Sequence, residues 1–221
     1  MKILELLIAG KIHDTIDLNE LFNNYNVNEI KDDENNSALF YAIENDDKRL
    51  IDFLLLKEVN VNHKNEHEIT ALEIAISKGN FEIVKLLYQN NARLENQYDI
   101  SELHIASSTG NVEIVKYFLD KNLDVDSKDI RGITPLYLAI QENHLDVAKL
   151  LVKNLADINF EDENGYNLLL CAVGEGHLGI VKYLIEEHNE IFESKILESI
   201  DLASAYNFKE IKNYLESKYL N

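Results

Sequence analysis

The chain has 221 residues, enough for one or two ordinary domains. Its 40 acidic and 21 basic residues give a net charge of −19. That field repels phosphate backbones and acidic membrane surfaces, which argues against nucleic acid and membrane as partners.

The first element, MKILELLIAGKI, is a short apolar run broken by Glu5, and it reads as a helix rather than a leader peptide. From residue 38 onward the chain repeats itself. ALFYAIENDDKRLIDFL (38–54) is followed by ALEIAISKGNFEIVKLL (71–87), ELHIASSTGNVEIVKYF (102–118), PLYLAIQENHLDVAKLL (135–151) and LLLCAVGEGHLGIVKYL (168–184). In each, two apolar runs flank a polar turn. Leu72, Ala75 and Ile76 keep helical spacing before the turn, as Ile83, Leu86 and Leu87 do after it. Each run is too short to be stable alone, so these are paired helices that must stack on their neighbours. One proline and eight glycines leave few breakers, in keeping with a mostly helical chain.

The residues that open the five copies are Ser37, Thr70, Ser101, Thr134 and Asn167, spaced by 33, 31, 33 and 33. Their side chains suit the capping of a helix N-terminus, and Pro135 sits where a missing N–H costs nothing. Ala42, Ala75, Ala106, Ala139 and Ala172 let helices approach closely. Gly79, Gly110 and Gly176 suit a left-handed turn, for which Asp46 and Asn143 are costlier choices. Residues 1–30 read as a degenerate helical pair, with Ala9 in the place of Ala75 and Leu21 in that of Leu87. Residues 194–221 read as a closing pair, with Ala203 in the place of Ala75, Asn207 at the turn, and Lys209, Lys212 and Lys218 facing water.

A period of 33 with two short helices resembles the ankyrin repeat, whose signature is T-P-L-H-x-A, a G-H or G-N turn, a V-V-x-L-L helix and a V-N tail. Thr134-Pro135-Leu136-Tyr137-Leu138-Ala139 is the nearest copy. Ser101-Glu102-Leu103-His104-Ile105-Ala106 keeps the histidine, and Val61-Asn62 and Ile158-Asn159 keep the tail. The resemblance implies an all-α, ankyrin-type α-solenoid of stacked helix-turn-helix repeats with projecting β-turn fingers. It also implies a single domain over 1–221, with caps at 1–31 and 194–221 and repeats at 32–64, 65–97, 98–128, 129–161 and 162–193. Two departures carry expectations. The loop before Ser101 is two residues short, so that finger should be stunted or bent. The finger glycines Gly132 and Gly165 are replaced by Asn35 and Glu68 in the first two repeats, which should be less regular.

No catalytic constellation stands out, so no enzyme activity and no cofactor are expected. His104, His144 and His177 fall at repeat positions and read as structural. His63 and His67 share a finger loop with Glu66 and Glu68, a weak candidate for a metal. Cys171 takes a signature position and reads as a buried structural thiol. Acidic runs such as Asp32-Asp33-Glu34 and Glu161-Asp162-Glu163 read as solvated loops.

The family resemblance implies a protein-binding function on the concave surface formed by fingers and inner-helix ends. The residue before each opening position points there: Asn36, Ile69, Ile100, Ile133 and Tyr166, with Tyr98 and Ile130 nearby. Packing between fingers is the competing reading for this ladder. Glu66, Asp99 and Glu163 rim the surface, and Glu142 and Glu175 end inner helices. An apolar centre with an acidic rim suits a basic protein partner. The expectation is a monomeric, cytoplasmic, non-catalytic interaction module. A sequestering inhibitor of immunity type, or a secreted effector that binds a host protein, stands as the alternative.

Overall fold

The computed structural model describes residues 2–12, 17–94, 97–162 and 165–220, and of Lys2 the backbone alone. The chain divides into two compact units, Met1–Glu102 and Leu103–Asn221. The first holds α1 (Lys2–Ile8), α2 (Leu18–Phe22), α3 (Ala38–Glu44), α4 (Lys48–Leu56), α5 (Ala71–Ser77) and α6 (Phe81–Gln89). Helix α7 (Glu102–Thr109) starts at the boundary. The second unit continues with α8 (Val112–Asp120), α9 (Pro135–Gln141), α10 (Leu145–Lys153), α11 (Leu168–Gly174), α12 (Leu178–Glu187), α13 (Asn189–Phe192), a 3-10 turn (Glu193–Lys195), α14 (Ile196–Ala205) and α15 (Lys209–Tyr219). Among the described residues β pairing is limited to three isolated bridges, Lys31 with Ser37, Lys64 with Thr70 and Glu161 with Asn167. Within each unit the chain is therefore the all-α stack of helix pairs that the repeats predict. Among the described residues no helix is long and apolar enough to cross a membrane.

Capping and packing explain why such short helices persist. Thr70 accepts from Glu73 N–H at 3.2 Å, Thr134 from Tyr137 N–H at 3.3 Å and Asn167 from Leu170 N–H at 3.0 Å. Ser37 takes the same place without a side-chain cap. Each pair then buries a small residue where helices meet: Ala42 and Ala75 in the first unit, Ala106, Ala139, Ala172 and Ala203 in the second, all at 0% exposure. Beside them Leu54 and Leu87, and in the second unit Phe118, Leu151 and Leu184, are fully buried. Burying each such side chain stabilises the stack by about 1.5–3 kcal/mol, and no helix pair can supply that burial alone.

The V-N tail ties one repeat to the next. Asn62 Oδ1 accepts from Arg93 N–H at 2.9 Å, and its Nδ2 donates to Asn91 O at 3.1 Å. Asn28 serves Asn60 N–H and Glu58 O in the same way, and Asp126 accepts from Asp157 N–H at 2.8 Å.

Two expectations need correction. The fingers holding Asn35 and Glu68 are regular: both residues take the left-handed backbone, at φ 64° and 62°, and both fingers close with a bridge. Gly132 and Gly165 take the same conformation at the same place, as does Asp99 before Ser101. Geometry thus wins over residue preference here, because neighbouring bonds fix the turn; Asn35 Nδ2, for example, donates to Lys64 O at 2.9 Å. Residues 95–96 of the shortened third finger lie outside the described residues.

The first helix of the N-terminal pair is also shifted by three residues from its expected register, and in the second Phe22 rather than Leu21 is buried. Gly10 N–H donates to Leu7 O and Lys11 N–H to Leu6 O, as Gly79 N–H does to Ile76 O and Asn80 N–H to Ala75 O. Leu6 therefore holds the place of Ala75, and Ala9 is exposed. The closing pair keeps its expected register: Ala203 is buried, Asn207 is left-handed at φ 61°, and Lys209 and Lys218 are exposed.

Candidate functional site

Four of the five fingers are organised by an aspartate or asparagine five residues before the opening position. Asp32 Oδ1 accepts from Glu34 N–H at 3.0 Å and Asn36 N–H at 2.7 Å. Asn65 Oδ1 accepts from His67 and Ile69, and Asp129 Oδ1 from Arg131 and Ile133. Asp162 Oδ1 accepts from Tyr166 N–H at 2.8 Å. These residues aim the finger side chains, and the sequence reading missed them by treating the acidic runs as solvated loops. The signal was present in the constant offset of five, which Asn96 also keeps. Burial pushes the carboxyls of Asp32 and Asp129 up. Hydrogen bonds outweigh it, from Tyr41, Asn36 and Glu34 on Asp32 and from Arg131 and Ile133 on Asp129, so both lie below the usual carboxylate range.

The ladder before the opening residues is neither fully exposed nor fully buried. Asn36, Ile69, Ile100, Ile133 and Tyr166 are all half-buried. The finger residues near the ladder are more exposed: Tyr98 is 47% exposed and Ile130 59%. Glu66 and Asp99 are exposed on fingers of the first unit. Glu142 and Glu175 are exposed at the C-caps of α9 and α11 in the second. Glu163 lies outside the described residues. Fingers and first helices meet on one side of each repeat, since Tyr41 Oη on α3 donates to Asp32, and His104 Nε2 on α7 lies 2.9 Å from Ile133 O.

The helices divide by charge, while fingers and caps carry both signs, with Lys31, Lys64, Lys128 and Arg131 on fingers and Lys78 at the C-cap of α5. The first helix of each pair from α3 to α14, namely α3, α5, α7, α9, α11 and α14, contains no lysine or arginine. The second helices carry Lys48, Arg49, Lys85, Lys116, Lys149, Lys153, Lys182, Lys209, Lys212 and Lys218. Those cations also serve aromatic rings: Lys149 lies 5.3 Å from the Tyr183 centroid and Lys182 5.6 Å from that of Tyr214.

The candidate chemical groups are structural in placement. His144 Nε2 lies 2.9 Å from Ser108 O and His177 Nε2 2.9 Å from Gln141 O, so each ties its repeat to the preceding one. His63 Nε2 lies 2.7 Å from Asn35 O. Among the described residues no cluster of three or more His, Cys, Asp or Glu could hold a metal ion, and the finger with His63 and His67 is no exception. Cys171 is buried. That burial, ahead of the charges of Glu175 and Glu142, pushes its thiol up to about 12, although a hydrogen bond with Tyr137 works the other way. A thiol held protonated in this way is a poor nucleophile.

No curated protein sequence matches the chain significantly. The family model for ankyrin repeats (3 copies) matches residues 3–98 and again 103–194. The two matches part within the stretch where the repeat spacing drops to 31 and where the two compact units divide. With most of its length matched and helix pairs in register at the signature positions, the chain belongs to the ankyrin-repeat family.

Proposed function

We propose that the chain binds a basic protein through the finger and first-helix side of its repeats and has no catalytic role. Ankyrin repeats form protein–protein interaction modules, and such repeats are typically not enzymes. The observation that carries the finer reading is the partition of charge. Within the α-helices from α3 onward, lysine and arginine stand only on second helices, while first helices carry only acidic and neutral groups. Of the cations on the finger side, Lys64, Lys78 and Arg131 are paired with acidic groups of the chain itself. Apolar finger residues Tyr98 and Ile130 supply desolvated contact, and the exposed Glu66 and Asp99 in the first unit and Glu142 and Glu175 in the second favour encounter with a positively charged surface.

The test is chemical crosslinking in the native cell followed by capture at low and high salt. A specific protein that crosslinks and is released by salt is expected. Ile130→Asp should leave the melting temperature unchanged, because the residue is exposed, and weaken capture by about tenfold or more. Failure to crosslink any protein, or unchanged capture by the variant, would count against this binding face.

A further inference from the structure

We propose that Tyr166 and Tyr206, with Glu142 and Glu175, form a subsite in Leu103–Asn221 that takes an arginine or lysine side chain from the partner. This rests on the interaction-module reading above and names the group recognised. The sequence Gly174-Glu175-Gly176 ends α11 and lacks side chains on either side of the carboxylate. Aromatic rings occupy both vacated places. The Tyr166 hydroxyl lies where a Cβ on Gly174 would stand, with Tyr166 Cζ 3.7 Å away. Phe208 Cε1 lies 2.8 Å from where a Cβ on Gly176 would stand. Tyr206 packs on Phe208 with ring centroids 6.0 Å apart and is itself 59% exposed. Glu175 is thus an exposed carboxylate between two aromatic groups.

His177 Nε2, 2.9 Å from Gln141 O, holds the end of α9 that carries Glu142 beside the end of α11 that carries Glu175, where Tyr166 and, through Phe208, Tyr206 also pack. Burial raises the Tyr166 hydroxyl, and the charges of Cys171, Tyr206, Glu175 and Asp162 raise it further. Glu142 and Glu175 both act on Cys171 beneath. Among the described residues neither Glu142 nor Glu175 forms an ion pair, and no cation lies over Tyr166 or Tyr206. Tyr183 and Tyr214, both on second helices, already have lysines over their rings. The chain therefore supplies cations to its outer aromatics and leaves this inner pair bordered by two carboxylates. Tyrosine faces and flanking carboxylates attract the same group, a guanidinium or ammonium, and the glycines seat the rings beside Glu175 at the end of α11, where the helix dipole is also negative.

The experiment is an amide chemical-shift titration of the full chain with acetyl-arginine-amide, and in parallel with acetyl-citrulline-amide, its neutral isostere. The arginine probe should give saturable shifts that are largest at Tyr166, Gly174, Glu175, Gly176 and Tyr206, and the citrulline probe should not. Glu175→Gln and, if folded, Tyr166→Ala should each weaken the arginine response by about threefold or more, while Glu113→Gln on α8, with the same charge loss, should not. Shifts spread evenly over the acidic surface, or an unchanged response in Glu175→Gln, would overturn the subsite. If a crosslinked partner binds Glu175→Gln and Tyr206→Ala as it binds the unaltered chain, the subsite fails while the interaction module stands. If no protein crosslinks, the module reading itself fails.

Discussion

In Met1–Glu102 the residue that opens each second helix serves its own helix. Asp47 accepts from Leu50 N–H at 2.9 Å, and Asn80 accepts from Ile83 N–H at 3.2 Å. In Leu103–Asn221 Asn111 does the same, but His144, His177 and Phe208 cap nothing. The histidines turn back to carbonyls of the preceding repeat, and Phe208 lies across Gly176. One position thus has two uses, a cap or an inter-repeat clasp. Asn80 manages both, since its Nδ2 also donates to Asp46 at 3.0 Å. A histidine placed with Nε2 on the earlier repeat leaves its own helix uncapped, so the second unit relies more on coupling between repeats.

The largest effect should come from the turn under a clasp. Gly110 has φ 77°, and His144 Cγ lies 2.7 Å from where its Cβ would stand. Gly110→Val should therefore cost about 3 kcal/mol or more, through backbone strain together with a displaced ring. Gly132 has φ 79° with nothing within 4 Å of a Cβ, so Gly132→Val should cost only the strain, about 1–2 kcal/mol. Thermal unfolding of the two variants separates the contributions. Equal losses would show that the clasp adds nothing to the turn's need for glycine.

Next in size is removal of the clasp itself. His177→Ala leaves Gln141 O without its partner and should cost about 1–2 kcal/mol. Asp47→Ala loses only a cap and should cost about 1 kcal/mol. If the two melt alike, the clasp and the cap are equivalent and the contrast between the units has no energetic content.

A smaller, pH-dependent effect belongs to His104. Burial lowers its folded pKa below the ordinary 6.5, against a hydrogen bond to Ile133 O and the charge of Asp129, which favour the cation. Well above pH 6.5 the ring is neutral in both states and contributes no pH dependence. Below it the unfolded chain takes up the proton first, so stability falls until the pH passes the folded value. Melting temperatures between about pH 7.5 and about pH 5 should fall more steeply for the unaltered chain than for His104→Gln. Parallel profiles would remove His104 from the acid limb.

The repeat frame was legible because it rests on patterns that any copy must keep: apolar periodicity, an alanine at each helix contact and a capping residue at each start. The N-terminal register was misread because Ala9 offered a small residue three places after the true match, Leu6, and composition outweighed the turn at Gly10. The fingers were misread in two ways. A left-handed turn can be imposed on Glu68 by the bonds that Asn65 makes around it, so the missing glycine was no sign of irregularity. Asp32 and Asp162 sit inside acidic runs, where charge hides a hydrogen-bonding role. The distinction at His144 and His177 was beyond a sequence reading, because a histidine's choice between its own helix and a neighbour depends on a carbonyl 36 residues away.

The smallest expected effect is the most direct test of that choice. In His144→Asn the new Oδ1 can accept from Val147 N–H, as Asn111 does from Ile114, so the variant gains a cap as it loses the bond to Ser108 O. A cap and a neutral hydrogen bond are each worth about 1 kcal/mol, so stability should change by less than about 1 kcal/mol in either direction. The effect on coupling should be larger than the effect on stability. With the clasp gone, hydrogen exchange should speed up in α7 relative to α10, because α7 loses a contact while α10 gains a cap. Uniform exchange across both helices, at unchanged total stability, would show that the two uses of this position are interchangeable after all.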